Sequence, residues 1–528
     1  MSAIKKFAGQ TAIYGLSTII SRLLNFILTP IYVRIYPAKV FGIFTVMFAW
    51  ASILNAILAF GMETTFFRYL NKYENDKQKV YNNTFIAIFA LSAVFLAFST
   101  LFVEDIAAWM QEGKKYNEDY GTYIRYFIGI LVADALAVIP FAKVRADGRA
   151  IRYSILKFAN ILTFVGLNLF FIFVAPAILE KNLPGAAFVA SWYREGWVGY
   201  VFLSNLIASV LTLILLIPEL LQIRFRYDGK LFKEMLYYSL PVLIANISFI
   251  INEHVDKLFL GRLLPADISE TEVGIYGACS KIAIFLSIFI QAFRLGAEPF
   301  FFSHSKNKNS SLTYARIMNY FVVAVCLIFV LLVANIELLK YFIGGGNVFK
   351  YFTGDYVISA AALKQQTLYW SGLKIVPVLL FGYLSLGIYI NLSIWYKLSD
   401  QTRYGLYISG VGALLTIILN LIFIPHYSFV ASAWISLTVY TVMAALSYVW
   451  GQKNYPIPYD LGRNLAYIFA AATIVFVSFV VFNRNLIVGN TLFVIFTLVS
   501  FYIERKGLIA ILGTKTSTSL PGSPENEY

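Results

Sequence analysis

The chain is a succession of apolar runs separated by short charged loops, and each run is long enough to cross a hydrocarbon layer ~30 Å thick as a helix. A backbone in hydrocarbon must satisfy its own N–H and C=O groups, so a chain with this pattern folds as a bundle of helices. We read about fourteen runs of roughly 20 residues. The first six are 11–36, 40–70, 80–103, 120–144, 151–178 and 197–221; the next six are 232–260, 273–302, 313–333, 367–390, 404–424 and 428–450; the last two are 464–482 and 486–503. Composition agrees: only 13% of the 528 residues are charged, against about 25% in a soluble domain. The expected class is an all-α membrane protein of about 14 transmembrane helices. The expected parts are a six-helix lobe over 1–223, a second over 224–452, two further helices over 453–512 and a disordered cytoplasmic tail over 513–528, rich in Ser, Thr, Pro and Gly.

The formal charge of +14 does not point to nucleic acid, because the basic residues are scattered through short loops. Alternate loops collect them. Arg68, Lys72, Lys77 and Lys79 fall in one, Lys143, Arg145, Arg149, Arg152 and Lys157 in another, then Arg224, Arg226, Lys230 and Lys233, then Lys306, Lys308 and Arg316. The intervening loops carry Glu104, Asp105, Glu112, Glu118 and Asp119, or Asp267, Glu270 and Glu272. Positive residues stay on the cytoplasmic side, so the alternation places both termini there. The basic residues 1–7 precede a run that lacks a small-residue cleavage site, so that run reads as a retained first span. Cys279 and Cys326 lie in apolar runs and the histidines lack ligand spacing, so no metal site and no cofactor is expected.

The first span is not uniformly apolar. Tyr14, Thr18, Ser21, Arg22, Asn25 and Thr29 recur every three or four residues and form one polar stripe. An arginine at mid-membrane costs roughly 2.5–3.5 kcal/mol on insertion scales, so Arg22 is expected to face protein or a watery cavity.

An internal repeat is also visible. Tyr-Pro-Ala-Lys-Val-Phe-Gly-Ile-Phe (36–44) is echoed by Leu-Pro-Ala-Asp (264–267) followed by Val-Gly-Ile-Tyr (273–276), and Gly-Met-Glu-Thr-Thr-Phe-Phe (61–67) by Gly-Ala-Glu-Pro-Phe-Phe-Phe (296–302). Six spans separate the copies, so the halves share one orientation and form a parallel repeat about an axis along the membrane normal. Within this frame Arg22, Asn25, Lys281, Arg294 and Lys374 are candidates for a cationic cavity, since guanidinium and ammonium groups bind phosphate oxygens. Glu63, Asp134, Asp256 and Glu298 are the embedded carboxylates and candidates for coupling to a proton or Na⁺. Each has a plainer reading. Glu253–Lys257 and Arg294–Glu298 have the spacing of local ion pairs, and Lys281 and Lys374 have stems long enough to snorkel to an interface.

Gly15-Leu16-Ser17 with Arg22, Pro30-Ile31-Tyr32, Phe41-Gly42-Ile43-Phe44, Gly61-Met62-Glu63 and Phe67-Arg68 resemble polysaccharide biosynthesis proteins. These are the O-antigen and capsule flippases of the multidrug/oligosaccharidyl-lipid/polysaccharide exporter superfamily. The resemblance implies two six-helix lobes about a central cavity. It also implies a carrier in the bacterial inner membrane that moves undecaprenyl-pyrophosphate-linked oligosaccharide by alternating access, amid membrane lipids and with other polysaccharide assembly proteins as partners. A multidrug or cation antiporter of the same superfamily is the alternative; it would favour about twelve spans and an acidic cavity. A membrane polymerase or ligase is a third reading, but no external loop is long enough to hold its catalytic groups. No GxxxxGK[ST] loop is present, so no ATPase motif is built in.

Overall fold

A computed structural model describes residues 26–112, 119–224, 226–304, 310–344, 360–399 and 401–513; the side chains of 295, 296, 298, 299, 302–304, 361, 362 and 506–513 lie outside that description. Among the described residues all regular structure is helical. The helices used below are α1 Phe26–Ile35, α2 Ala38–Ala59, α3 Met62–Lys72, α4 Lys77–Leu101, α5 Val103–Gln111, α6 Tyr120–Ala146, α7 Ala150–Leu169 and α8 Gly199–Leu215. They continue with α9 Gly229–Leu263, α10 Ser269–His304, α11 Ser310–Ala334, α12 Ala360–Trp370, α13 Val376–Leu392, α14 Arg403–Asn454, α15 Leu461–Phe476 and α16 Leu486–Gly513.

Among the described residues 11 helices are long and apolar enough to cross a membrane. The difference from the expected number has physical sources. Run α14 is 52 residues long and contains Ser428 at φ 51 and ψ −141, where the helix breaks. At 1.5 Å per residue its length is roughly 78 Å, more than twice the bilayer core, so it holds two crossings. Two further apolar helices, α1 and α8, are shorter than a full span, and the residues ahead of α1 lie outside the description. The tail beyond Gly513 lies outside it as well.

The chain divides into two compact units. One holds α1–α10 and α12–α14; the other holds α11 from Leu312 onward together with α15 and α16. In the smaller unit, Asn335 and Asn490 exchange amide hydrogen bonds at 3.1 Å in both directions. Arg463 pairs with Glu504, which also accepts from the Tyr467 hydroxyl at 3.0 Å. These polar ties matter because apolar burial adds little between helices that sit in lipid.

The larger unit is organised by a close crossing of α2 and α10. A Cβ on Gly42 would lie 1.8 Å from the Glu270 carbonyl oxygen, and a Cβ on Gly274 would lie 1.8 Å from the Ala38 carbonyl oxygen. Each glycine therefore meets the residue four positions before the other. Such reciprocity marks a two-fold relation between the two segments, and Gly42 and Gly274 are equivalent positions of the internal repeat. Glycine lets the backbones touch, as it does in other membrane helix pairs. Around this crossing Glu270 is buried. It accepts from the Tyr120 hydroxyl at 2.6 Å and lies 3.7 Å from the Lys39 ammonium.

A second contact joins α3 to α9 at the opposite end of α2–α3. The turn between α2 and α3 needs Gly61 at φ 66, and a Cβ there would stand 3.0 Å from the Ser239 carbonyl oxygen. Lys72 pairs with Glu234, and the Tyr73 hydroxyl donates to the same carboxylate at 3.0 Å.

Gly42→Ala and Gly274→Ala are expected to lower the thermal midpoint of the detergent-solubilised protein, because overpacking of this kind costs about 1–3 kcal/mol. Gly166→Ala and Gly410→Ala, where a Cβ meets open space, are expected to leave it unchanged or raise it slightly. Equal midpoints for all four would refute the close crossing.

Candidate functional site

Four helices enclose a polar chamber of about 370 Å³ inside the larger unit. Helix α3 contributes Glu63, α6 contributes Asp134, Phe141 and Arg145, α7 contributes Tyr153, Lys157 and Asn160, and α8 contributes Asn205, Ser209 and Thr212. Glu63 stands in the first turn of α3, aimed by the Gly61 turn, and forms an ion pair with Arg145. Arg145 also lies 5.0 Å from the Phe67 ring. Asp134 is half-buried on α6 beside Ser209 and Lys157. The Lys157 ammonium stands 4.6 Å over the Phe141 ring. Asn160 donates to the Ala208 carbonyl at 3.1 Å and to the Thr212 hydroxyl at 2.9 Å.

A carboxylate or ammonium in a membrane-spanning helix persists only where protein or water replaces its hydration. Here groups of both signs share one pocket, with amides, hydroxyls and aromatic rings between them. The arrangement can hold a proton or a hydrated cation near Glu63 and Asp134, and it can donate to anionic or hydroxyl-bearing groups from Lys157 and Asn205.

A buried carboxylate anchors α7. Glu219 lies past the end of α8, fully inaccessible to solvent. It accepts from Arg152 at 2.8 and 2.7 Å, and the Arg149 guanidinium approaches to 2.9 Å. Burial alone would raise the Glu219 carboxyl pKa, but the hydrogen bonds from Arg152 and the charges of both arginines outweigh it and hold the group below the usual glutamate range. The Tyr81 hydroxyl donates to the Glu219 carbonyl at 2.9 Å, which ties α4 to the same point.

The repeat-related half carries its own polar cluster. Asp256 is buried on α9, paired with the Lys257 ammonium at 2.9 Å and accepting from the Tyr276 hydroxyl. The local pair expected between Glu253 and Lys257 is replaced. Lys257 donates to the Glu253 backbone carbonyl at 2.8 Å and gives its charge to Asp256, whose carboxylate stands nearer the core. Half-buried Lys281 of α10 lies beside Lys257 and Glu253. Asn252 knits the cluster to α14, accepting from the Thr416 hydroxyl at 2.9 Å.

The structure thus brings Glu63 and Asp134 into one chamber, and Asp256 and Lys281 into one cluster. Two further candidates are described. Arg294 is half-buried on α10 beside Tyr389 of α13. Lys374 is exposed in the turn Ser371–Ile375, 5.5 Å from the Phe429 ring. Arg22, Asn25 and the Glu298 side chain lie outside the described residues. Arg145 and Lys157 read as loop cations in the sequence and prove to line the chamber. The stripe Asn205, Ser209, Thr212, spaced by four and three on α8, was the available signal for that wall. Both cysteines are free and buried, and no group of three or more His, Cys, Asp or Glu suited to a metal ion occurs among the described residues.

A family model described as polysaccharide biosynthesis protein matches residues 7–303. No curated protein sequence gives a significant match. Solved structures match over most of their length. The lipid II flippase MurJ, in an inward closed conformation, superposes with a TM-score of 0.67 at 13% identity, covering 94% of this chain and 99% of that one. An inward-facing multidrug resistance MATE family transporter of the MOP superfamily gives 0.59 at 16% identity, covering 86% and 98%. A MOP superfamily transporter from Pyrococcus furiosus, titled for the reverse polarity of its binding pocket, gives 0.56 at 14% identity, covering 84% and 95%. At these identities the likeness is one of fold.

The Glu219 clamp makes a pH-dependent contribution. Its folded-state pKa is depressed, so the contribution is full above the usual glutamate range and fades as pH falls through the folded value. The thermal midpoint of wild type is expected to drop on acidification from neutrality toward pH ~4. Glu219→Gln is expected to be less stable at neutral pH by about 3–5 kcal/mol, the cost of unpairing a buried ion group, and to lose part of the acid dependence. Parallel midpoint-versus-pH curves for the two proteins would contradict the clamp.

Proposed function

The chain belongs to the polysaccharide biosynthesis protein family, and from that premise we propose that it is a flippase for undecaprenyl-pyrophosphate-linked oligosaccharide. The proposed location is the bacterial inner membrane, with both termini cytoplasmic. The observation that carries the reading is the pair of polar interiors in an otherwise apolar bundle, one in each half of the repeat. A glycan head group cannot enter hydrocarbon without losing its hydrogen bonds; a water-accessible polar path between two lobes removes that barrier.

In this proposal the lobes 1–223 and 224–452 rock against each other, and 453–512 supplies two additional helices. The Gly42–Gly274 crossing closes one end of the path and parts when that end opens. Arg22, Asn25, Lys281, Arg294 and Lys374 receive the pyrophosphate, with charge-assisted bonds strengthened by the low dielectric of the path. Glu63, Asp134, Asp256 and Glu298 couple the movement to a proton or Na⁺. The protein acts without chemistry on its cargo, so it is a carrier and not an enzyme. Glycan assembly proteins would supply the loaded lipid and take it up.

The second reading is a multidrug or cation antiporter. It is favoured by the two carboxylates of one chamber and by the MATE-like fold. The two readings separate in reconstituted vesicles. A fluorescent undecaprenyl-pyrophosphate oligosaccharide is expected to cross only in vesicles holding the protein. Lys281→Ala with Arg294→Ala is expected to slow crossing about tenfold or more, a loss of ~1.4 kcal/mol per decade. Unchanged crossing by the double variant would remove the cationic site, and proton-driven efflux of organic cations without glycolipid crossing would establish the antiporter.

Coupling is checked separately. Asp134→Asn is expected to keep crossing down a cargo gradient while abolishing its response to an imposed pH difference. A full response in that variant would assign coupling to other groups.

A further inference from the structure

The larger unit contains a second cavity, of about 390 Å³, that no part of the transport reading uses. Its walls are α2, α4 and α6 and its roof is α5. Fourteen residues line it, none of them charged, and Ser99 supplies the one side-chain hydroxyl. The deep end is buried at Met47, Ala51, Ile124 and Leu131. The mouth is open at Phe98, 59% exposed, and Trp109. It continues into the apolar outer face of α4, where Val94 and Leu101 are 66% and 79% exposed. Because 11 helices among the described residues are long and apolar enough to cross a membrane, that face meets lipid.

The roof is amphipathic. Helix α5 turns Ile106, Trp109 and Met110 into the cavity and starts with Glu104 and Asp105. Each end is strapped to a neighbour. Arg125 of α6 pairs with Glu104 at 2.5 Å, and Arg262 of α9 pairs with Glu112. Arg262 also donates to the Trp109 carbonyl at 3.2 Å and stands 4.9 Å over its ring. A tryptophan beside exposed charge pairs is the signature of head-group depth, so the cavity runs from the interface into the hydrocarbon layer.

We propose that this cavity holds one acyl chain of a zwitterionic phospholipid, whose head group lies against the two arginine–glutamate straps. The uncharged, predominantly apolar lining selects a hydrocarbon chain. The straps select the head group: each offers a guanidinium for a phosphate and a carboxylate for an ammonium. Glu104, Asp105 and Glu112 beside the mouth disfavour a multiply charged pyrophosphate, so the occupant is a bilayer lipid and not the tail of the cargo. Exposed ion pairs are worth about 0–1 kcal/mol each, so the straps can yield to a head group while the open mouth at Phe98 lets the chain exchange. The proposal stands whether or not the flippase reading does.

The test uses the full chain in vesicles of phosphatidylethanolamine and phosphatidylglycerol, with a diazirine on the acyl chain of one lipid at a time. After illumination, adducts are mapped by mass spectrometry. Labelled phosphatidylethanolamine is expected to mark Phe95, Met110 and Ile128 about tenfold above Ile487 and Leu498, lipid-exposed residues of α16 that serve as the random background; one decade corresponds to ~1.4 kcal/mol of preference. Ala51→Phe, which fills the deep end, is expected to bring the cavity adducts down to background while α16 labelling holds. If that variant does not accumulate, excess unlabelled phosphatidylethanolamine in wild type is expected to do the same, and phosphatidylglycerol to compete poorly. Even labelling of cavity and α16, equal labelling by phosphatidylglycerol, or capture of a diazirine-bearing polyprenyl phosphate in preference to phosphatidylethanolamine would each overturn the assignment.

Discussion

The larger unit depends on two backbones being allowed to touch. Where α2 crosses α10, each glycine lies against a carbonyl of the opposite helix, closer than any side chain would permit. In lipid there is no water to expel from between helices, so attraction comes from close van der Waals contact and polar ties. The crossing supplies the first and Glu270, held by Tyr120 and Lys39, supplies the second. Because the contact is reciprocal between repeat-equivalent residues, it sits on the symmetry relation itself. One contact surface serves both halves, and a change at either glycine acts on the whole crossing.

A second constraint follows from the medium. Charges inside a bilayer must be answered nearby, and this chain answers them in pairs: Glu63 with Arg145 and Asp256 with Lys257. Pairing keeps each half stable but also consumes charge that a cargo would otherwise meet. The groups left with fewer ties carry the functional interest. Lys157 lies over an aromatic ring, Asp134 lies beside a hydroxyl and an ammonium, and Lys281 stands next to another lysine. Lys281, with both Lys257 and Glu253 within electrostatic range, remains part of the proposed pyrophosphate path.

The candidate site was legible in parts. Glu63 and Asp134 were recognisable because a carboxylate in a long apolar run needs a reason, and both do line one chamber. Arg145 and Lys157 were counted with the loop cations; α6 runs on past its apolar run to Ala146 and carries Arg145 to the chamber, while Lys157 lies inside the run that became α7 and reaches the chamber from there. The pairing of Lys257 went to Asp256 instead of Glu253, since helical spacing says which residues share a face but not which of two carboxylates turns inward. Lys374 is exposed in the turn Ser371–Ile375, with its ammonium 5.5 Å from the Phe429 ring.

By itself, the sequence determined the class of fold and the family. Hydrocarbon leaves a backbone little choice but helix, and short family motifs keep their spacing whatever their neighbours do. Only the tertiary structure decided which helices meet. It placed α11 with α15 and α16 in the smaller unit, laid Gly42 on the backbone of Glu270, and roofed an apolar cavity with α5. Those choices rest on the fit of surfaces far apart in the chain, and periodicity along one helix carries no record of the face it will meet.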